Sequence, residues 1–126
     1  MTDTLSLIRP TAADIAAVAR CLPHLTDLDE RRIAARTIAC ALAQGWSVSV
    51  CDGIGGEGEW VVKQSTDAAT ICKAMASSDG DALRFYDAPL SRIGTVYFVY
   101  GNGEDLWSDN TDQEILNELS AFATAP

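Results

Sequence analysis

Gly53-Ile54-Gly55-Gly56-Glu57-Gly58 satisfies the G-x-G-x-x-G spacing with which a glycine-rich turn presents backbone N–H groups to a pyrophosphate. That chemistry needs the turn to leave a strand and open a helix, so that the helix N-terminus meets the phosphate. Here Glu59, Trp60, Val61 and Val62 follow, which read as a strand, and Glu57 and Glu59 would repel an anion. The segment is therefore expected to be a flexible hairpin loop. Glu104, Asp105, Asp109, Asp112 and Glu114 could offer oxygen ligands to Ca²⁺ or Mg²⁺, but their spacing departs from the D-x-[DN]-x-[DN]-G loop. Helix capping accounts equally well for Asp112 and Glu114. No metal and no cofactor is expected.

A serine or cysteine nucleophile would have to use His24, the one imidazole in the chain, which lies between Pro23 and Leu25 in an inter-helix turn. There is no G-x-S-x-G elbow and no P-loop. Cys21, Cys40, Cys51 and Cys72 are widely spaced, with no C-x-x-C, so they are expected to behave as small apolar side chains and not as zinc ligands. The expectation is a protein without catalytic residues, not an enzyme.

The charge pattern points to binding. The net charge of −9 argues against direct contact with nucleic-acid phosphates. Residues 1–50 balance Asp3, Asp14, Asp27, Asp29 and Glu30 against Arg9, Arg20, Arg31, Arg32 and Arg36. All of the excess lies beyond residue 50, where only Lys63, Lys73, Arg84 and Arg92 are basic, and the stretch from Glu104 to Glu118 has six acids and no base. Arg31, Arg32 and Arg36 suggest a phosphate-binding stripe. Asp27 and Asp29, at helical spacing from Arg31 and Arg32, can however pair with them. Of the three tryptophans, Trp46 and Trp60 read as core residues, whereas Trp107 in the acidic region is balanced between interface and core.

Four helix signals and five strand signals must position these residues. Thr11-x-x-Asp14 and Thr26-x-x-Asp29 each read as a helix start, the first followed by Ile15, Val18 and Leu22, the second by Ala34, Ile38, Ala41 and Leu42. Ser65-Thr66-Asp67 opens a third helix with Ala68, Ile71, Cys72 and Met75 on one face. Thr111-x-x-Glu114 is a capping box for a fourth, lined by Ile115, Leu119 and Phe122. Residues 46–51 alternate strictly, as do 82–86, with Leu83 and Phe85 opposite Arg84 and Tyr86. Residues 60–63 form another strand, and 95–100 are apolar on both faces. Asn102-Gly103 signals a two-residue type I′ hairpin into an edge strand at 104–108.

The expected fold is α+β, in the order α-α-β-β-α-β-β-β-α: an N-terminal αα-hairpin, then a four- to five-stranded, mainly antiparallel sheet with helices on one face. Residues 1–126 are expected to form a single domain, with the helical hairpin in 1–45 and the sheet plus two helices in 46–126. The mean hydropathy and 48% hydrophobic content suit a globular chain. No apolar run approaches the roughly 20 residues of a membrane span. Met1-Thr2-Asp3-Thr4 lacks the features of a signal peptide, so a cytoplasmic location and no membrane partner are expected.

Residues Trp60 to Lys63, Ser65 to Asp67, Leu83 to Asp87, Arg92 to Gly94, Phe98 to Leu106, and Ser108-Asp109 resemble small uncharacterised acidic proteins of bacterial prophages and mobile elements. The likeness spans residues 46–112, with Tyr100-Gly101-Asn102-Gly103-Glu104-Asp105-Leu106 its most distinctive piece. It implies a host-cell anti-defence factor of the anti-CRISPR kind and carries no catalytic motif over. Such proteins block nucleic-acid-binding surfaces, and an acidic face can steer into a Lys- and Arg-lined channel. The partner-binding residues expected on this basis are Glu104, Asp105, Trp107, Asp109 and Asp112, facing a basic host protein or nucleoprotein complex such as a CRISPR effector. The alternative is a self-associating structural or accessory phage protein, a possible homodimer pairing through residues 104–108.

Overall fold

The computed structural model describes residues 7–88 and 91–126, so the reading of Met1 to Thr4 lies outside the described residues. Helix α1 (Ala12–Ala19) begins with the expected capping box. The Thr11 hydroxyl accepts from the Asp14 N–H at 3.1 Å, and the Asp14 carboxylate accepts from the Thr11 N–H at 3.2 Å. Helix α2 (Leu28–Ala43) begins one residue later than Thr26 would place it. Its N-cap is Asp27, which accepts from the Glu30 N–H at 3.0 Å. Asp27 is therefore not a partner for Arg31.

Residues all round α2 are buried, among them Ile33, Ala34, Ala35, Thr37, Ile38, Ala39, Cys40 and Ala41. The alanines let α1, α4 and the sheet approach on different sides. The Thr37 hydroxyl stays satisfied by donating to the Ile33 carbonyl at 2.7 Å.

The chain continues through β1 (Ser47–Asp52), β2 (Trp60–Ser65), α3 (Ala68–Ala74), β3 (Gly80–Ala88), β4 (Ser91–Val99), β5 (Trp107–Asn110) and α4 (Glu114–Thr124). The element order and the α+β class are as expected. All pairings in the sheet are antiparallel, in the order β2-β1-β3-β4-β5. Val48 and Val50, Leu83 and Phe85, and Val96 and Phe98 project from its three inner strands into one core with Ile33, Ile38, Ile71, Met75, Leu116 and Leu119 of the helices. The Trp46 ring lies 5.7 Å from that of Phe85, in the core as expected.

Both sheet edges are irregular. In β2, Cys51 pairs with Trp60 and Val50 with Val62, leaving Val61 unmatched. A second register shift follows near Gln64, whose φ is +48° and whose N–H donates to the Ser49 hydroxyl at 2.8 Å. In β5, Phe98 pairs with Trp107 and Tyr97 with Asp109, so Ser108 is the extra residue. Such bulges twist an edge and interrupt its ladder.

The connection from β4 to β5 is not the expected two-residue type I′ turn. Asn102 has φ −115°, and Gly103 opens a 3₁₀ turn (Gly103–Asp105), so β5 starts at Trp107 and not at Glu104. The cause is tertiary. Glu30, only 3% exposed, accepts the N–H groups of Gly101, Asn102 and Gly103 on one carboxylate oxygen at 2.8, 2.8 and 3.0 Å. Gly101 and Gly103 have φ of +92° and +58°, which points successive N–H groups inward as an anion-binding nest.

Helix α4 also departs from its local signal. Its N-cap is Gln113, because Thr111 is held in the sheet: the Thr95 N–H donates to the Thr111 hydroxyl at 2.9 Å and the Thr111 N–H to the Thr95 carbonyl at 2.9 Å. Leu116, Leu119 and Ala123 are the buried positions, with Ile115 and Phe122 half-buried. Gly94 permits this phase, since a Cβ there would lie 2.6 Å from Leu116 Cδ1.

Replacing Glu30 by Ala is expected to lower unfolding free energy by roughly 2–3 kcal/mol, because three N–H groups lose a charged acceptor, while Glu30→Gln, which keeps an oxygen in place, loses about 1 kcal/mol. Urea unfolding midpoints check this; equal midpoints for all three proteins would show that the nest does not hold the fold.

Candidate functional site

The five residues expected to bind a partner do not share one face. Glu104 and Asp105 are exposed on the 3₁₀ turn, and Asp112 is exposed just before α4. The extra residue in β5 sends Trp107 and Asp109 to opposite sides of the sheet, because cross-paired residues share a face. Trp107 turns toward the helices, half-buried, with its ring 6.0 Å from that of Phe98 and its indole N–H donating to Asn110 at 3.1 Å. Asp109 turns to the other side, beside Tyr97.

The arginines of α2 are engaged within the fold. Arg31 donates through Nε to the Leu25 carbonyl at 2.8 Å, Arg32 pairs with Asp29 at 2.9 Å, and Arg36 donates to the Ala125 carbonyl at 2.6 Å. The Arg32–Asp29 contact is the one ion pair among the described residues. His24 Nε2 lies 2.9 Å from the Met75 carbonyl, which can only accept, so that nitrogen carries hydrogen.

All four cysteines are free. Three are buried and Cys21 is half-buried. Burial pushes Cys40 up to about 11 and Cys72 to about 12, which keeps both as neutral thiols. Among the described residues no three His, Cys, Asp or Glu side chains converge as a metal cage, and no helix is long and apolar enough to cross a membrane.

A buried acid that the sequence reading did not single out lies at the start of β3. Asp81 is fully buried, and one of its oxygens accepts from the Ala76 N–H at 2.8 Å and from the Tyr100 hydroxyl at 2.5 Å. Its other oxygen has no partner. Burial raises the Asp81 carboxyl above the ordinary carboxylate range, against the lowering effect of those two donors, and Asp52 adds to the rise while His24 opposes it. Tyr100 is likewise pushed up by burial and by Asp81. Ala76, a non-glycine residue at φ +59°, is held in that conformation by this hydrogen bond.

The sheet face turned away from the helices carries the most concentrated unexplained chemistry. One row of cross-paired residues runs over all five strands: Trp60, Cys51, Ala82, Tyr97 and Asp109. Cys51 and Ala82 are fully buried yet stand apart from the main core. The glycine-rich segment covers them. It is the hairpin connection expected between β1 and β2, and a 3₁₀ turn (Ile54–Gly56) seats it on the sheet, with the Gly53 N–H donating to the Gly80 carbonyl at 2.9 Å.

A Cβ on Gly56 would lie 3.6 Å from Ala82 Cβ and 3.7 Å from a Tyr97 ring carbon. A Cβ on Gly58 would sit 1.3 Å from the Asp52 carbonyl oxygen, so no other residue fits there. Gly56 and Gly58 thus let the turn lie close against the sheet. Beyond the loop, the Arg84 guanidinium stacks 4.1 Å above the Trp60 ring, and Tyr86 and Tyr97 are half-buried on the same face. Trp60 therefore belongs to this outer face and not to the core. Ile54 stands 51% exposed above it.

No family model matches the chain, and no curated protein or solved structure shows significant similarity to it.

The raised Asp81 carboxyl has a signed consequence. The folded state holds its proton more tightly than the unfolded chain, so the contribution of Asp81 to stability is complete below the ordinary carboxylate range. It is lost as pH rises through the raised value. The stability of the wild type relative to Asp81→Asn is therefore expected to be greater near pH 4 than near pH 7, by urea unfolding at both. A difference that is flat, or that grows with pH, would show that Asp81 is not held toward its neutral form.

Proposed function

We propose that the protein is a small, acidic, non-enzymatic binding protein of the anti-defence, anti-CRISPR-like kind. It acts in the host cytoplasm by blocking a basic nucleic-acid-binding surface of a host protein or nucleoprotein complex. The observation that carries this reading is the set of unpaired carboxylates at Glu104, Asp105, Asp109 and Asp112, all exposed and none in an ion pair among the described residues. Unpaired surface carboxylates on a chain of net charge −9 raise the encounter rate with a basic partner and repel nucleic acid itself. The non-enzymatic part of the reading is supported by thiols held neutral by burial and by a single histidine whose Nε2 is committed to a backbone carbonyl. Trp107 is half-buried against Phe98 on the helix side of the sheet, away from Asp109.

Tagged protein is expected to retain a basic nucleic-acid-binding complex from host lysate at low salt and to release it at high salt, identified by mass spectrometry. Charge reversal at both Asp105 and Asp109 is expected to weaken that retention roughly tenfold. Retention indifferent to salt and to both reversals would overturn the inhibitor reading. Recovery of the chain alone, with a concentration-dependent mass, would favour the self-associating structural role.

A further inference from the structure

Ile54, Tyr97, Val99, Ser108 and Asp109 line an open pocket of about 370 Å³ on the outer sheet face. The geometry points to this pocket as the seat for a single aliphatic-stemmed cation, an arginine or lysine side chain of a protein partner. The proposal rests on the basic-partner reading and gives it a specific site.

Three features carry it. Part of the wall is apolar and aromatic, with Ile54 from the glycine-rich turn on one side and Tyr97 and Val99 of β4 beneath. Polar atoms make up the larger share of the lining, to which Ser108 and Asp109 belong. A methylene stem can bury against such walls while its charge reaches the rim, and the Tyr97 ring offers a π face to an ammonium or guanidinium. At the rim is Asp109, exposed and without a cationic partner among the described residues. One of its oxygens accepts the Asn110 N–H at 2.8 Å, which fixes the carboxylate and leaves the other oxygen free. The third feature is the construction of the pocket. The extra residue in β5 turns Asp109 to this face, and the glycines let the Ile54 turn lie close enough to Tyr97 to form a wall. The Asp109 carboxylate at the rim disfavours an anionic occupant.

The test uses the isolated full chain, so it can fail independently of the lysate capture. Backbone amide and side-chain NMR shifts are followed during titration with N-acetyl-arginine methylamide and N-acetyl-lysine methylamide, with the norleucine and glutamate analogues as neutral and anionic probes. Saturable shifts centred on Ile54, Tyr97, Val99, Ser108 and Asp109 are expected with the cationic probes only, and the tighter of the two identifies the head group. Asp109→Asn, which keeps an oxygen for the Asn110 N–H, should weaken binding about threefold to fivefold, the scale of an exposed ion pair. Ile54→Ser should weaken it while leaving the remaining spectrum intact. No saturable shifts, shifts spread equally over Glu104, Asp105 and Asp112, or shifts indifferent to both substitutions would overturn the assignment.

Discussion

One carboxylate ties the two parts of the chain together. Glu30 projects from the first turn of α2, is almost wholly buried, and takes three consecutive N–H groups of the Gly101–Gly103 turn on one oxygen. A buried charge is tolerated only when donors replace its lost water, and here the backbone supplies them. The bond sets α2 against the β4–β5 end of the sheet. It also replaces the tight hairpin that Asn102-Gly103 would otherwise form, which delays β5 until Trp107. From there the single extra residue at Ser108 decides which side chain of the acidic segment faces inward and which outward.

The four helices among the described residues contribute to one core on one side of the sheet, and none of them covers the opposite face, where only the glycine-rich turn lies over the strands. An uncovered antiparallel sheet is ordinarily polar on its free side. This one instead carries Trp60, Tyr86 and Tyr97, an arginine stacked on an indole, and a glycine-rich turn bearing an exposed isoleucine. Aromatic residues and arginine are enriched at protein contact surfaces, which accords with the role proposed for this face. Asp109 is the point at which the acidic segment and this face meet.

What could be read from the sequence was local. The Thr11 box, the apolar stripe of α3 and the alternation of β1 and β3 depend on neighbours within a turn or two, and each formed as its pattern required. The misplaced features all depend on distant groups. Thr111 caps nothing because Thr95, sixteen residues away, claims its hydroxyl. Asn102-Gly103 fails as a hairpin because of Glu30, more than seventy residues upstream. The seat of the Gly53–Gly58 turn on the sheet carries no local signal, because its support, Ala82 and Tyr97, comes later in the chain. Trp107 and Asp109 were placed together because alternation cannot reveal a bulge. The candidate surface was therefore only partly legible: Asp109 was found, whereas Tyr97 and Ile54 carried no signal of their own, and Trp60 was assigned to the core.

The most direct test is hydroxyl-radical footprinting of the chain alone and in its partner complex, read residue by residue by mass spectrometry. The outer sheet face predicts protection of Trp60, Tyr97 and Ile54 on binding, with Trp107 and the exposed Leu28 of α2 unchanged. Protection of Leu28 and the helical side, with Trp60 and Tyr97 still reactive, would contradict it and place the functional surface on the opposite face of the molecule.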